Sequence, residues 1–208
     1  MKDFLFVIKY ILVIHMNNKT LTFYNEHTQD FVEGTVTVDF HEVQDRFLQY
    51  VKEGSYLLDF GCGSGRDTKY FLDKGYRVDA IDGSVELCKY ASALTGIDVQ
   101  CMLFQEFEVV NRYDAIWASA SLLHCQYDDL DDVFARVYRA LKEDGIFYCS
   151  FKYGDYQGYR NERYFTDLDE QEFMKFIAGK FEIVDQWISE DARKDVKQLW
   201  LNSIVRKK

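Results

Sequence analysis

The stretch Tyr56-Leu57-Leu58-Asp59-Phe60-Gly61-Cys62-Gly63-Ser64-Gly65-Arg66 decides how this chain folds. Its first five residues are apolar except for Asp59 and predict a short buried strand. Three glycines at alternate positions follow at once, and residues 66–74 carry a helical pattern that ends at Gly75. A strand that turns through glycines into a helix presents the N-terminal amides of that helix to a ligand. Glycine also lets the backbone come close to what it binds. The spacing is D-x-G-x-G-x-G, whereas a dinucleotide fingerprint, G-x-G-x-x-G/A, needs Gly or Ala where Arg66 stands. An acid in front and closely spaced glycines suit a ligand with an ammonium group and no pyrophosphate. The candidate contacts are Asp59, Gly61, Cys62, Gly63 and Gly65; the plain alternative is a tight turn with no ligand.

Outward from this turn the pattern repeats. Arg77–Ile81 predicts a second strand closing on Asp82-Gly83-Ser84, with Ser84 as N-cap of a helix that carries Leu87, Ala91 and Leu94 and ends at Gly96. Asp98–Phe104 predicts a third strand and Tyr113–Ala118 a fourth. Residues 131–142 predict a helix through Phe134, Val137, Tyr138 and Leu141, and Ile146–Phe151 a fifth strand. Upstream, Val43, Phe47, Leu48 and Val51 lie at helical spacing within residues 36–51. Strands alternating with helices across short turns predict an α/β fold with a mostly parallel sheet. The ending differs: Phe181–Ile188 and Gln198–Val205 are strand-like runs with no helix between them, so they predict a hairpin and an antiparallel last strand.

In such a sheet, ligands bind at the carboxyl ends of the strands. Asp82, followed by Gly83, ends the second strand beside the glycine turn, where a carboxylate can accept both hydroxyls of a ribose; the alternative is an N-cap acid. S-adenosylmethionine (SAM) unites the two requirements, a ribose and an ammonium group. At the end of the third strand, Phe104 can pack on adenine, and Gln105 or Glu106 can accept from its amino group. After the fourth strand, Ser119 and its small neighbours leave room for a ligand, and His124 is a candidate base or orienter against the alternative of a packed histidine. Past the fifth strand, Lys152, Tyr153, Arg160 and Arg163 collect on the same edge and suit an anionic substrate, against the alternative of a solvated loop. Arg193 is a similar candidate. The acids Asp128, Asp129, Asp131 and Asp132 read as helix-start acids rather than a metal site, and no metal is expected.

Together these residues resemble the class I SAM-dependent methyltransferases and, within them, the small tellurite-resistance-type branch. The resembling stretches are Leu57–Leu72 (LLDFGCGSGRDTKYFL), Gly75–Ser84 (GYRVDAIDGS), Tyr113–His124 (YDAIWASASLLH), Leu141–Gly154 (LKEDGIFYCSFKYG), Arg163–Leu168 and Trp200–Asn202. Tyr24 and Thr35 fit the branch's N-terminal helix region, which lies over the cofactor. The resemblance covers roughly residues 20–208. It implies a Rossmann-like, seven-stranded, mostly parallel sheet of order 3-2-1-4-5-7-6, with strand 7 antiparallel and helices on both faces. It also implies SAM contacts by Asp59, Gly61, Gly63 and Gly65, ribose contacts by Asp82, and adenine contacts near Phe104 and Gln105. The implied activity is methyl transfer to a small acceptor, with S-adenosylhomocysteine as product. Many relatives have Asp where Gln105 or Glu106 stands here.

Composition narrows the alternatives. The chain has 208 residues, 48% hydrophobic and 29% charged, with a formal net charge of −10. That suits one globular domain and disfavours a phosphate-backbone partner, since no basic run exceeds Arg206-Lys207-Lys208. Proline is absent, which removes the xPPx motif of amino-methylating DNA enzymes. None of the five cysteines forms a C-x-x-C pair, so a reduced, cytoplasmic setting is expected. Phe4–Met16 is nearly continuous apolar sequence, shorter than the roughly 20 residues of a membrane span. Residues 1–15 therefore read as an extension before a natural start at Met16, with a membrane-touching segment or an extra packed element as rivals. Residues 16–208 read as a single domain. A SAM-binding module without turnover and an RNA-methylating enzyme are the competing functions; a nucleotide-dependent oxidoreductase is opposed by Arg66.

Overall fold

The computed structural model describes residues 19–193 and 195–208. The expectations for residues 1–15 and for Met16 fall outside the described residues.

Among the described residues, three short helices, α1 (Lys19–Glu26), α2 (Thr28–Glu33) and α3 (His41–Leu48), precede strand β1 (Tyr56–Phe60). Then come α4 (Arg66–Asp73), β2 (Arg77–Asp82), α5 (Val85–Thr95), β3 (Gln100–Cys101), β4 (Tyr113–Ala118), α6 (Tyr127–Ala140) and β5 (Leu141–Lys152). The chain continues through β6 (Gln157–Arg160), β7 (Arg163–Thr166), α7 (Glu170–Ile177), β8 (Phe181–Glu190) and β9 (Leu199–Lys207). Seven strands form one sheet in the order β3-β2-β1-β4-β5-β9-β8. With the separate β6–β7 hairpin set aside, this is the expected order 3-2-1-4-5-7-6. The first five strands run parallel, and β9 runs antiparallel to both β5 and β8.

Alternation along the central strands makes the two faces. On one, Leu57, Ala115, Trp117 and Tyr148 pack beneath Phe47 of α3 and Phe71 of α4, and the Trp117 and Tyr148 rings stack 4.0 Å apart. On the other, Leu58, Ile116 and Phe147 meet Phe134 of α6 and Phe173 of α7. Ser84 accepts the Leu87 amide as N-cap of α5, and Gly96 closes that helix in the left-handed conformation.

Four local expectations change. The third strand shrinks to Gln100–Cys101, because Leu103 N–H donates to the Glu106 carboxylate and residues 104–106 close a 3-10 turn. The helix within residues 36–51 is limited to His41–Leu48. Helix α6 begins at Tyr127, with Asp128 and Asp129 in its first turn, where the macrodipole favours acids. The segment read as a loop after the fifth strand is the hairpin β6–β7, turned by Asn161 (φ 46°) and Glu162 (φ 65°). Two successive left-handed residues match the twist of a two-residue hairpin. Asn-Glu is a weak signal for that turn compared with Asn-Gly.

Candidate functional site

A cavity of about 770 Å³ opens at the carboxyl ends of the parallel strands. This is within the range of small-molecule clefts, about 300–1,000 Å³. Helices α1 and α2 cover one side, and the β6–β7 hairpin and the β8–β9 connection border the other.

The glycine turn forms the floor. Gly61 and Cys62 amides both donate to the Ile81 carbonyl, at 2.9 and 3.0 Å, which ties the turn to the end of β2. At Gly61 (φ +88°) a Cβ would fall 2.5 Å from Ser121 Cβ and 2.9 Å from the Phe104 ring. A Cβ on Gly63 (φ +54°) would lie 3.2 Å from the Phe31 ring. Gly65 has a different role: it is the left-handed N-cap of α4, and a Cβ there would meet Ala91 of α5 at 3.0 Å. It serves helix–helix approach and does not line the cavity. Asp59 is likewise turned away. Its carboxyl accepts from Thr68 Oγ1 at 2.5 Å, and burial, reinforced by the nearby Asp67, lifts its pKa to about 8. The acid that does face the cavity here is Asp67, whose carboxylate accepts from Arg66, Gln44 and Trp117. Sequence reasoning missed it, because Asp67 in a first helical turn looks like any macrodipole acid.

Asp82 lines the cavity beside the turn, with Oδ2 accepting Gly63 N–H at 2.9 Å and Oδ1 accepting Ser84 N–H at 2.8 Å. Desolvation raises its pKa while those backbone donors counteract it. Helix α1 is strapped across this end. Ser84 Oγ donates to Asn25 Oδ1 at 2.7 Å, and a Cβ on Gly83 would strike Leu21 at 2.8 Å. The next wall is Leu103 and Phe104, the latter packed on Phe60 with ring centroids 4.5 Å apart. Gln105 also lines the cavity, its amide donating to Asp129 at 3.4 Å; Glu106 instead caps its own 3-10 turn. Ser119 lines the cavity at the end of β4, and Ala120 N–H donates to Ser150 Oγ.

The far end is polar and cationic. His124 Nδ1 lies 2.7 Å from the Tyr164 carbonyl, so that nitrogen carries the proton, and Nε2, 2.8 Å from Tyr24 Oη, accepts the tyrosine proton. Burial pushes the His124 pKa down to about 4 and raises that of Tyr24. Burial thus keeps the His124 ring neutral near pH 7, hydrogen-bonded to Tyr24. Lys152 Nζ lies 4.1 Å above the Phe165 ring centroid. Burial first, then the charges of Arg160, Arg163 and Arg193, lower its pKa. Arg163 stacks over Phe23 at 4.5 Å, and its buried Nε has no acceptor. Arg193 also lines this end, paired with Asp191 at 2.8 Å. Two expected members are placed elsewhere. Tyr153 Oη donates to Glu170, and Arg160 makes a two-pronged ion pair with Asp167. Tyr153 lies one residue past the end of β5, and Arg160, although the cross-strand partner of Arg163 on the hairpin, is drawn to the buried Asp167 carboxylate. Leu21 and Phe31 line the cavity without having been singled out, since apolar residues on short helices carry no functional signal. Among the described residues no three His, Cys, Asp or Glu side chains come together to hold a metal, and no helix is long and apolar enough to cross a membrane.

Residues 57–145 match a family described as a methyltransferase domain. An uncharacterized methyltransferase of Staphylococcus carnosus is 28% identical over 194 residues, covering 84% of this chain and 93% of that protein. The chain spans only 33% of the malonyl-[acyl-carrier protein] O-methyltransferase of Acetivibrio thermocellus, with 30% identity over 95 residues, 43% of this chain. The structure of the Burkholderia thailandensis 1,6-didemethyltoxoflavin-N1-methyltransferase, with bound 1,6-didemethyltoxoflavin and S-adenosylhomocysteine, superimposes with a TM-score of 0.74. It is 24% identical, over 96% of this chain and 89% of that one. TehB from Haemophilus influenzae superimposes with a TM-score of 0.71 at 16% identity, over 86% of this chain and 66% of that one. These two likenesses are likenesses of fold.

Proposed function

The chain is a class I SAM-dependent methyltransferase, and from that premise we propose that its methyl acceptor is a small anion, an oxyanion or a carboxylate-bearing metabolite. The observation that carries the proposal is the far end of the cavity. Lys152 has an aromatic neighbour but no ion pair among the described residues, and Arg163 Nε is buried without an acceptor. Arg193 adds a third positive charge, with only Asp191 to balance it. In a chain of net charge −10, such a cluster is costly unless an anion completes it.

The remaining walls fit SAM. Gly61 brings bare backbone to the cavity wall where Ser121 and Phe104 leave no room for a Cβ, Asp82 presents a carboxylate to a ribose, and Leu103 and Phe104 form an apolar wall for adenine. When bound there, SAM supplies an electrophilic methyl on a sulfonium. The protein's own work is then alignment and exclusion of water. Lys152, Arg163 and Arg193 hold and orient the acceptor. Tyr24, fixed by His124, borders the space between the two halves. Helix α1 and the β6–β7 hairpin close over it, joined where Tyr164 N–H donates to Thr20 Oγ1 at 2.9 Å. An acceptor that attacks as an anion needs no base, which agrees with a His124 held neutral.

The test is calorimetric titration with SAM, followed by turnover on a panel of oxyanions, carboxylates, thiols and amines. Micromolar SAM binding and the highest kcat/KM among the anions are expected. A neutral amine or thiol outperforming every anion would overturn the anionic reading. No binding at millimolar SAM would overturn the cofactor site as drawn.

A further inference from the structure

We propose that Cys88 and Cys101 form an oxidisable dithiol that ties the affinity of the SAM site to peroxide exposure. The inference rests on the reading of Asp82 and Gly83 as the ribose end of that site. Cys101 is the second residue of β3 and pairs directly with Asp82 in the parallel ladder. Cys88 lies one turn into α5, whose N-cap is Ser84. The two side chains meet under the end of β2. Cys88 Sγ lies 3.3 Å from the Asp82 carbonyl and Cys101 Sγ lies 3.8 Å from the Gly83 carbonyl, two consecutive peptide oxygens. The thiols also neighbour each other: the Cys101 thiol is the foremost cause, ahead of burial, of the upward shift in the Cys88 pKa.

The pair is asymmetric in the way a peroxide-reactive dithiol requires. Cys101 is exposed, whereas Cys88 is buried against Ala80, Ala91 and Val99. The exposed sulfur meets the oxidant and the buried one resolves the product. The Cys101 thiolate attacks hydrogen peroxide, the O–O bond breaks, and Cys101 sulfenic acid and one water are formed. Cys88 sulfur then attacks the Cys101 sulfur, the S–O bond breaks, and the hydroxyl leaves as a second water with the Cys88 proton. Two thiols and one peroxide thus give one disulfide and two waters.

The disulfide reaches the cofactor site through the backbone. It removes both S–H donors from the Asp82 and Gly83 carbonyls. It also draws β3 toward the first turn of α5, since a disulfide holds its sulfurs at about 2.05 Å. Asp82 is oriented by the Ser84 and Gly63 amides, so moving the start of α5 moves the carboxylate. By linkage, bound SAM disfavours the disulfide by the same factor by which the disulfide weakens SAM.

The experiment treats the full-length protein with hydrogen peroxide, maps disulfides by mass spectrometry of non-reduced peptides, and measures SAM affinity by calorimetry before treatment, after it, and after dithiothreitol. Expected results are a Cys88–Cys101 cross-linked peptide, a roughly tenfold rise in the SAM Kd that dithiothreitol reverses, and slower cross-linking in the presence of SAM. Cys101→Ser should keep the SAM affinity of the reduced protein and lose its response to peroxide. A cross-link to Cys62 instead, no cross-link, or a cross-link that changes the Kd less than twofold would each overturn the proposal. Failure of the reduced protein to bind SAM would instead strike the cofactor reading on which it rests.

Discussion

The two halves of the cavity are built in opposite ways. The half proposed for the cofactor is local: residues 61–64, 82–83 and 103–105 each contribute a consecutive run beyond or at the end of a parallel strand, and backbone amides and carbonyls do much of the work. The acceptor half is assembled from side chains far apart in the chain: Tyr24, His124, Lys152, Arg163 and Arg193, joined by contacts such as the Tyr24–His124 hydrogen bond. A half made of backbone tolerates few substitutions and is shared across a family. A half made of side chains is easily changed, and it is where the choice of acceptor resides.

The largest expected effect attacks the backbone half. Gly61→Ala places a Cβ 2.5 Å from Ser121 and should raise the SAM Kd by about a hundredfold or more. Gly65→Ala, equally left-handed but packed on α5, should act on stability instead, lowering Tm by roughly 3–8 °C with a much smaller loss of SAM affinity. Equal losses of SAM binding in the two variants would erase the distinction between the glycines.

Next, the two halves should separate kinetically. Lys152→Met should raise the KM of an anionic acceptor by about 10–100-fold, the value of a charge-assisted hydrogen bond, and leave the SAM Kd within about twofold. Asp82→Asn should do the reverse. If both variants moved both constants together, the halves would not be independent.

A pH profile sharpens the same point. With its pKa lowered by burial and neighbouring arginines, Lys152 should lose its proton below the ordinary value of 10.5. The acceptor KM should therefore rise on the alkaline side. Lys152→Arg should remove that limb, since arginine stays charged. A limb that persists in Lys152→Arg assigns it to another group.

The smallest effect concerns His124. Its pKa falls from 6.5 to about 4 on folding, so between these values the unfolded chain binds more protons than the folded one. Its contribution to stability is complete above pH 6.5 and is lost as the pH falls toward 4. His124→Asn, which keeps a donor for the Tyr164 carbonyl, should lose about 2–4 °C less in Tm than the wild type across that window. Identical acid sensitivity would show that His124 is not the group responsible.

Much of this was legible before the structure. Asp59 to Gly65, Asp82 with Ser84, and the two apolar runs after residue 180 specify strand–turn–helix units and a terminal hairpin through short-range patterns, because strand period, capping and glycine placement are local properties. The roles within the turn were not legible. Asp59 and Gly65 share the motif with Gly61, yet one is paired with Thr68 and the other is packed on Ala91. Spacing shows that a residue is in the turn and not which way its side chain points. Likewise, Lys152, Tyr153, Arg160 and Arg163 form one basic-aromatic cluster in the sequence. Local partners decide the outcome: Tyr153 bonds to Glu170 and Arg160 pairs with Asp167, leaving Lys152 and Arg163 at the cavity. The sequence by itself determined the sheet, the turn and the ligand class, because these follow from neighbours in the chain. The tertiary structure alone decided which charges remain unpaired in the cavity, because pairing depends on where the hairpin, the strand ends and the loops set each side chain, and spacing in the chain does not show that.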